Sequence, residues 1–494
     1  MTEPRTLDAA LTDWAQRFAD HAAAIGSGAR LRFGELDGAA DLWARRLAAA
    51  GVQPGARVAL LAANQPAWLA AAFGVWRAAA TLVPVSTFVT PRELGEILAD
   101  ADVEAMIVQP RMGARDLLAM AAALPTAQRP PRLLSLIEDS APAAAPAAGA
   151  PLPSAESTAC ILYTSGTTGA PKGVMLSHRA ILATVEPTAE RGGLVPGDVA
   201  LSTLPLFWVA GLVIRALPTL ASGAALLTLE TFTADGLLAA LRAEQPSALH
   251  LRPPQVGQLL AHAEFDPAGL SAVRRGGGRV DWFAPHLDAE RVRFITGYGM
   301  TETAGYVTAL DWRDAVAVRA TGIGTPLPGV ELRIVDGEVR VRGPGLFSGY
   351  HKQPPGTGVD ADGFFCTGDL GRIDADGTFH FSGRSKDLLR IKGINVSPVE
   401  VESVLGAHPA VDSVYVVGVP PDGLDQELVA LVVARDHAPL PEAALRAHAA
   451  TTLSHYKRPT YYVALRRDEV PLGGTAKPHR AALAALATDR LRSG

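Results

Sequence analysis

Apolar residues recur along this chain with two periods, and the alternation between them lays out the architecture. Leu11, Trp14, Ala15 and Phe18 fall at i, i+3, i+4 and i+7, which predicts one face of a helix. Leu31-Arg32-Phe33 reads as a strand, Gly34-Glu35-Leu36 turns into a helix that runs through Ala49, and Val58-Ala59-Leu60-Leu61 reads as a strand after the turn at 51–55. Helix and strand keep alternating to Ile107-Val108. The most apolar region, 58–85, is interrupted by Asn64, Gln65, Pro66 and Arg77, which predicts a buried helix and not a membrane span. A Pro/Ala-rich surface linker occupies the stretch between Asp139 and Glu156. The alternation then resumes: a helix from Arg179, a strand over 199–203, a helix from Gly211, a strand over 225–229 and a helix over 234–242. Strands separated by helices imply parallel βαβ units.

From about Thr321 the pattern changes. A turn-rich stretch over 322–329 leads into period-two alternation at 330–335 and 338–341, expected of hairpin strands in a β-rich subdomain reaching about Ser382. Beyond it, a helix over 399–405, strands over 414–419 and 428–433 and a helix over 442–453 predict a separate small α+β domain. The fold class is α/β: a large N-terminal part of two doubly wound βαβ subdomains plus a β-rich subdomain, followed by a small α+β domain.

Composition narrows the function classes. The chain has 494 residues, 48% hydrophobic and 19% charged, which is globular in character. A net charge of −5 gives no basic footprint for nucleic acid. Cys160 and Cys366, the two cysteines, are far apart and fit neither a disulfide framework nor a zinc site, so a reducing cytoplasm is expected. Met1-Thr2-Glu3-Pro4-Arg5 does not open a signal peptide of the usual kind.

The chemistry begins at Tyr163-Thr164-Ser165-Gly166-Thr167-Thr168-Gly169-Ala170-Pro171-Lys172-Gly173. Glycines allow a ligand to approach the backbone, inward N–H groups and hydroxyls form an anion nest, and the lysine adds a point charge. This suits a polyphosphate, although a polar Gly/Thr turn between strands has the same composition. Pro171 before the lysine and Gly173 after it exclude a Walker A loop. Four further segments follow. Thr296-Gly297-Tyr298-Gly299-Met300-Thr301-Glu302-Thr303 offers an aromatic between glycines, a hydroxyl, and a hard oxygen ligand suited to Mg²⁺. Thr367-Gly368-Asp369 offers a carboxylate on a tight turn that can accept both hydrogen bonds of a ribose diol. Gly383-Arg384-Ser385-Lys386-Asp387 precedes Ile391-Lys392-Gly393, and the Gly-rich turn at 471–477 delivers Lys477. Each segment has a plain structural reading on its own: a loop tyrosine, a turn aspartate, a surface ion pair, a solvated lysine.

In this order the motifs resemble the adenylate-forming superfamily of acyl-CoA synthetases, peptide-synthetase adenylation domains and luciferases, over nearly the whole chain. The resemblance implies a core over 1–384, a hinge at Lys386, and a mobile domain over 385–494 that rotates between two half-reactions. It implies that Thr164, Ser165, Gly166, Thr167, Thr168, Gly169 and Lys172 hold the ATP phosphates and that Tyr298, flanked by Gly297 and Gly299, stacks on adenine. Gly276 and Gly277 belong to the nucleotide side, Asp369 binds ribose and Arg384 contacts the nucleotide. Thr301, Glu302 and Lys477 are the implied catalytic residues, with Glu302 the Mg²⁺ ligand, and Lys392 and Gly393 line the CoA channel. The cofactor set is ATP, Mg²⁺ and coenzyme A.

Several positions depart from the family pattern. Ala476 replaces the usual glycine before the catalytic lysine, Gly276-Gly277-Gly278-Arg279 stands for the common Gly-Gly-Ala-Pro, and Thr296 stands where Gln or Asn is frequent. Trp208 occupies the place where amino-acid-activating relatives carry Asp and aryl ligases often carry His, which disfavours an α-amino acid. Trp208 can gate the pocket, wall it off or be an ordinary core residue. Val209, Gly211, Leu212, Met300 and Ala304 are expected beside it, with Gly276, Gly277 and Gly278 facing the same cavity and Arg252 and Tyr306 as nearby polar groups. The lining suits a hydrophobic aromatic or cyclic acid. The leading expectation is a carboxylate–CoA ligase acting through acyl-AMP. The alternatives are a medium-chain fatty acyl-CoA synthetase, an enzyme loading a separate carrier protein, and a non-enzymatic nucleotide binder, with a homodimer among the assemblies considered.

Overall fold

The computed structural model describes residues 5–137, 153–164, 172–283, 285–384, 388–391, 394–419, 426–435, 439–453, 455–472 and 478–493. Two compact units emerge. The first comprises Met1–Leu332, Val341–Phe365 and Ala375–Phe379; the second comprises Arg333–Arg340, Cys366–Asp374 and His380–Gly494.

Two seven-stranded sheets dominate the first unit. One is ordered Arg293–Ile295, Arg275–Gly277, Ala248–His250, Val199–Ser202, Ala225–Thr228, Ala22–Gly26, Ala29–Arg32. Its pairings are parallel except the last, where Ala22–Gly26 and Ala29–Arg32 form a hairpin. The other is ordered Gly349–Tyr350, Lys172–Ser177, Thr158–Thr164, Thr81–Val85, Arg57–Leu61, Ala105–Val108, Arg132–Ser135. It is parallel in the centre and antiparallel at the Gly349–Tyr350 edge. The helices Leu7–Phe18, Phe33–Ala49, Pro66–Arg77 and His178–Gly192 share one hydrophobic cluster with strands of the second sheet. Trp14, Trp68, Trp76 and Phe73 are fully buried there.

The apolar stretch over 58–85 is not a single buried helix. It is a strand–helix–strand unit, Arg57–Leu61, Pro66–Arg77 and Thr81–Val85, because Gln65-Pro66 starts a helix with Pro in its first turn. Phe33, expected at the end of a strand, instead opens the next helix. Among the described residues no helix is long and apolar enough to cross a membrane. Residues 138–152, most of the Pro/Ala stretch, lie outside the described residues.

In the second unit, Val411–Val419 and Glu427–Ala434 pair antiparallel, and Tyr461–Ala464 joins in parallel. Strand alternation divides the apolar side chains between two faces. Val416, Leu428, Ala430 and Val432 pack with Val401, Leu405, Leu445 and Ala449 of the helices Pro398–Gly406 and Glu442–Thr452. Val417, Val429, Leu431 and Val433 pack with Leu483, Ala484 and Ala487 of Arg480–Ser493. That last helix and the strand Tyr461–Ala464 had no distinct signal in the sequence reading.

Candidate active site

Thr164 and Lys172 are register partners at the ends of Thr158–Thr164 and Lys172–Ser177, so the two strands bracket residues 165–171. Ser165, Gly166, Thr167, Thr168 and Gly169 lie outside the described residues. The next strand in the sheet, Gly349–Tyr350, pairs Tyr350 with Val174 and brings its ring within 5.2 Å of Lys172 Nζ. The Tyr350 hydroxyl donates to Glu302 Oε1 at 2.9 Å. Burial, and then the neighbouring Glu302 carboxylate, push the Tyr350 phenol upward, so it stays a donor at neutral pH. One buried tyrosine therefore connects Lys172 with Glu302. Tyr350 was missed in the sequence; its signal is a lone tyrosine beyond any recognised motif.

Glu302 sits on the single turn Thr301–Thr303, held where Gly297–Met300 doubles back on Gly305–Ala309. The turn closes tightly: Met300 N–H donates to Thr303 Oγ1 at 3.0 Å, and that hydroxyl donates to Gly305 O at 2.8 Å. A Cβ on Gly299 would stand 1.8 Å from Gly305 O, so the approach of the two strands excludes any side chain there. Ala304 takes φ +50°, a left-handed conformation that costs a non-glycine residue on the order of 1 kcal/mol or more. Tyr298 is 7% exposed, and its ring packs at 4.8 Å from that of Phe379. Among the described residues no cluster of three or more His, Cys, Asp or Glu forms a metal cage. The hard oxygens of Glu302 fit a Mg²⁺ ion that takes its remaining ligands from phosphates and water, the usual way this ion is bound.

Asp369 lies in the second unit and not on a tight turn. It is inside the nine-residue strand Phe365–Ile373, where Gly368 at φ +69° interrupts the regular pleat. Asp369 is 3% exposed, its Oδ1 accepts from Arg384 Nε at 3.0 Å, and its backbone N–H donates to Thr367 Oγ1 at 3.0 Å. The structure thus pairs the residue that the resemblance placed on the ribose, Asp369, with Arg384, which it placed on the nucleotide. Lys386, Lys392, Gly393 and Lys477 lie outside the described residues. The flanking pairs Ile391↔Ile394 and Leu472↔Pro478 are formed on either side of the last three.

At the acyl end, Trp208 is half-buried and no core tryptophan. It precedes the helical segment Val209–Gly211, with its ring 5.7 Å from Phe207 and 6.3 Å from the exposed Phe88. Gly211 passes so close to the preceding loop that a Cβ would lie 1.9 Å from Pro205 O. Leu212 and Ala304 belong to one hydrophobic cluster, against which Val209 and Met300 pack. The three glycines do not share one face. A Cβ at Gly276 would meet Phe294 at 2.5 Å in the core behind the sheet, whereas one at Gly277 would meet Arg215 Nη2 at 2.2 Å. Successive strand residues point to opposite sides. At Gly278 the Cβ direction meets Trp282 at 2.4 Å. Arg252 precedes the helix Pro253–Leu260 with its Nε buried and unpaired, and the Tyr306 hydroxyl accepts from Arg215. Arg215 itself went unnoticed in the sequence, hidden in an apolar helical run.

Two paired strands bracketing residues 165–171, with Lys172, Tyr350 and the Glu302 carboxylate gathered beside them, make a layout suited to nucleotide chemistry. The chain belongs to the AMP-binding enzyme family, whose main domain it matches over residues 11–351 and whose C-terminal domain over 400–477. It is 33% identical to feruloyl-CoA synthase of Amycolatopsis sp over 480 residues, covering 93% of this chain and 95% of the relative. It is 32% identical to sulfoacetate–CoA ligase of Cupriavidus necator over 483 residues, 92% of either chain. The ATP-bound crystal structure of MatB from Rhodopseudomonas palustris superposes with a TM-score of 0.81 at 27% identity, covering 98% of this chain and 99% of that one.

Proposed function

We propose that the chain is an AMP-forming carboxylate–CoA ligase that activates a hydrophobic aromatic or cyclic acid. The observation that carries the reading is the Lys172–Tyr350–Glu302 constellation at the mouth of the 165–171 connection. A carboxylic acid of pKa roughly 4 is ionised at neutral pH, so its attack on the α-phosphorus of ATP requires no general base. It requires charge neutralisation and in-line positioning. Lys172 and the Ser/Thr/Gly connection grip the leaving pyrophosphate, Thr301 donates to a phosphate oxygen, and Glu302 would hold Mg²⁺. Bound Mg²⁺ would supply charge neutralisation for the triphosphate. Tyr298 supports adenine, Asp369 and Arg384 take the ribose side, and Lys477 completes the adenylation site.

The boundary between a core over 1–384 and a mobile domain over 385–494 is part of this reading. Rotation about Lys386 would withdraw Lys477 and bring Lys392 and Gly393 to the thiol path. The CoA thiol then displaces AMP from the acyl-AMP. The half-buried Trp208 with Phe88, Phe207, Val209, Leu212 and Met300 favours an apolar acid, and the likeness to a feruloyl-CoA synthase supports an aromatic one. A cytoplasmic location and a homodimer complete the proposal, the latter checked by light scattering. The central test is pyrophosphate release across benzoates, phenylpropenoates, cyclic acids and fatty acids of graded length, followed by AMP release with CoA or with a carrier protein. Turnover confined to medium-chain fatty acids, or dependent on a carrier, replaces this reading with the corresponding alternative, and no pyrophosphate release with any acid replaces it with the non-enzymatic one.

A further inference from the structure

The C-terminal edge of the first sheet brings His250 and Gly277 together as register partners, with Ser202 paired to His250 on the other side. Parallel sheets bind ligands at this edge. Facing Gly277 is Arg215, on the five-residue π-helical turn Leu212–Ala216 that follows Val209–Gly211. Such turns are rare and concentrate at functional sites. Arg215 is 8% exposed and donates from Nη2 to the Tyr306 hydroxyl at 2.9 Å, but its Nε has no partner. It forms no ion pair with any carboxylate among the described residues. His250, 7% exposed, presents an Nδ1 that also lacks a partner. Burial, reinforced by Arg215, holds the imidazole well below its ordinary range, so it is neutral and leaves the guanidinium charge uncompensated.

Arg215 and His250 both line a cavity of about 20 Å³, which also borders Gly276, Ile295, Thr188 and Thr219. That space admits one or two polar atoms. A buried cation without a counter-charge is costly, and an arginine fork matches an oxyanion geometrically. A Cβ at Gly277 would lie 2.2 Å from Arg215 Nη2, so any other residue there would displace the guanidinium.

We propose that Arg215, oriented by Tyr306, binds a second anionic group of the acid substrate, remote from the carboxylate that is adenylated. The inference rests on the ligase reading and refines it. The substrate is an apolar-bodied dicarboxylate or its sulfonate equivalent, with the activated carboxylate toward Glu302 and the other oxyanion in the Arg215–His250 corner. Gly277 is glycine because a side chain there would collide with the arginine. A single ordered water bridging Arg215 Nε and His250 Nδ1 is the competing explanation.

The test compares kcat/KM for pyrophosphate release with matched acids: terephthalate against 4-methylbenzoate, 4-carboxycinnamate against 4-methylcinnamate, and glutarate against valerate. The wild-type chain is expected to favour the dianion in at least one pair by about 100-fold, the discrimination of a charged hydrogen-bonded site. Arg215→Met is expected to lower that ratio about 100-fold, and Tyr306→Phe about 10-fold, chiefly through KM. Arg215→Lys keeps the charge and is expected to restore part of the ratio; it serves equally if Arg215→Met fails to fold. Preference for the monoanion in all three pairs, or equal loss for both members of a pair in Arg215→Met, would overturn the proposal and leave an ordered water only. Calorimetric titration of terephthalate into wild-type and Arg215→Met protein tests the anion corner without turnover. Weaker binding by the variant supports the corner even if the ligase reading fails. No difference in binding counts against it whatever the activity.

Discussion

The nucleotide end and the acyl end of the first unit are built on opposite principles. At the nucleotide end the charged groups are partnered within the chain: Glu302 receives the Tyr350 hydroxyl, and Lys172 lies over the same ring. At the acyl end the buried Arg215 and His250 each keep a nitrogen without a partner. A partnered carboxylate is positioned before any substrate arrives, which suits chemistry common to every acid. A buried cation with no counter-charge is completed by one kind of ligand, which suits discrimination. Under the proposed function, reaction and specificity fall to different elements: the Gly297–Met300 strand with the Gly349–Tyr350 edge, and Trp208 and the π turn with the ends of Ala248–His250 and Arg275–Gly277.

The largest expected effect tests the generic side. Lys477→Ala should lower pyrophosphate release by about 1000-fold while sparing thioester formation from supplied acyl-AMP, since the charge it supplies is needed at the phosphorus and not at the thioester. Rapid-quench assay of the two half-reactions checks this, and equal loss of both removes the lysine from its role. Glu302→Gln should cost about 100-fold in kcat/KM, with a raised Mg²⁺ requirement read from a metal titration. An unaltered Mg²⁺ dependence would argue that the carboxylate does not face the ion.

The scaffold that both ends share should fail in acid. His178 opens the helix His178–Gly192, accepts from the Leu7 backbone N–H through Nδ1, and is 1% exposed; burial lowers its pKa to about 4. The unfolded chain takes up this proton near pH 6.5, the folded one only near 4, so stability is full above 6.5 and declines as pH falls through that window. The loss is about 3 kcal/mol once both states are protonated. Urea unfolding from pH 7.5 to 4.5 measures it, and His178→Gln should flatten the slope. A slope unchanged by that substitution would place the acid sensitivity elsewhere. Smallest of all, Tyr350→Phe should reduce turnover about fivefold, the worth of one hydrogen bond to Glu302. A variant as impaired as Glu302→Gln would mean that the tyrosine itself touches substrate.

The contrast also accounts for what was legible in the sequence. Helices and parallel strands announced themselves through periodicity, because backbone conformation there depends on apolar spacing. Glu302 and Asp369 stood in short motifs whose chemistry is local, although Gly368 bends a strand where a turn was expected. Arg215, His250 and Tyr350 were invisible for the opposite reason. Arg215 and His250 are solitary residues in apolar runs, Tyr350 stands between Gly349 and His351, and the significance of each arises from long-range pairings: Tyr350 with Val174, His250 with Gly277, Arg215 with Tyr306. The side of the sheet that each glycine of Gly276-Gly277-Gly278 faces likewise follows from register, which composition does not encode.

The most direct measurement is the ratio of kcat/KM between a phenylpropenoate and a medium-chain fatty acid, determined by pyrophosphate release for the wild-type, Glu302→Gln and Trp208→Ala proteins. Separate reaction and specificity ends predict that Glu302→Gln lowers both rates and leaves the ratio within about twofold, while Trp208→Ala shifts the ratio about tenfold toward the longer acid. A ratio moved by Glu302→Gln and untouched by Trp208→Ala would contradict the division.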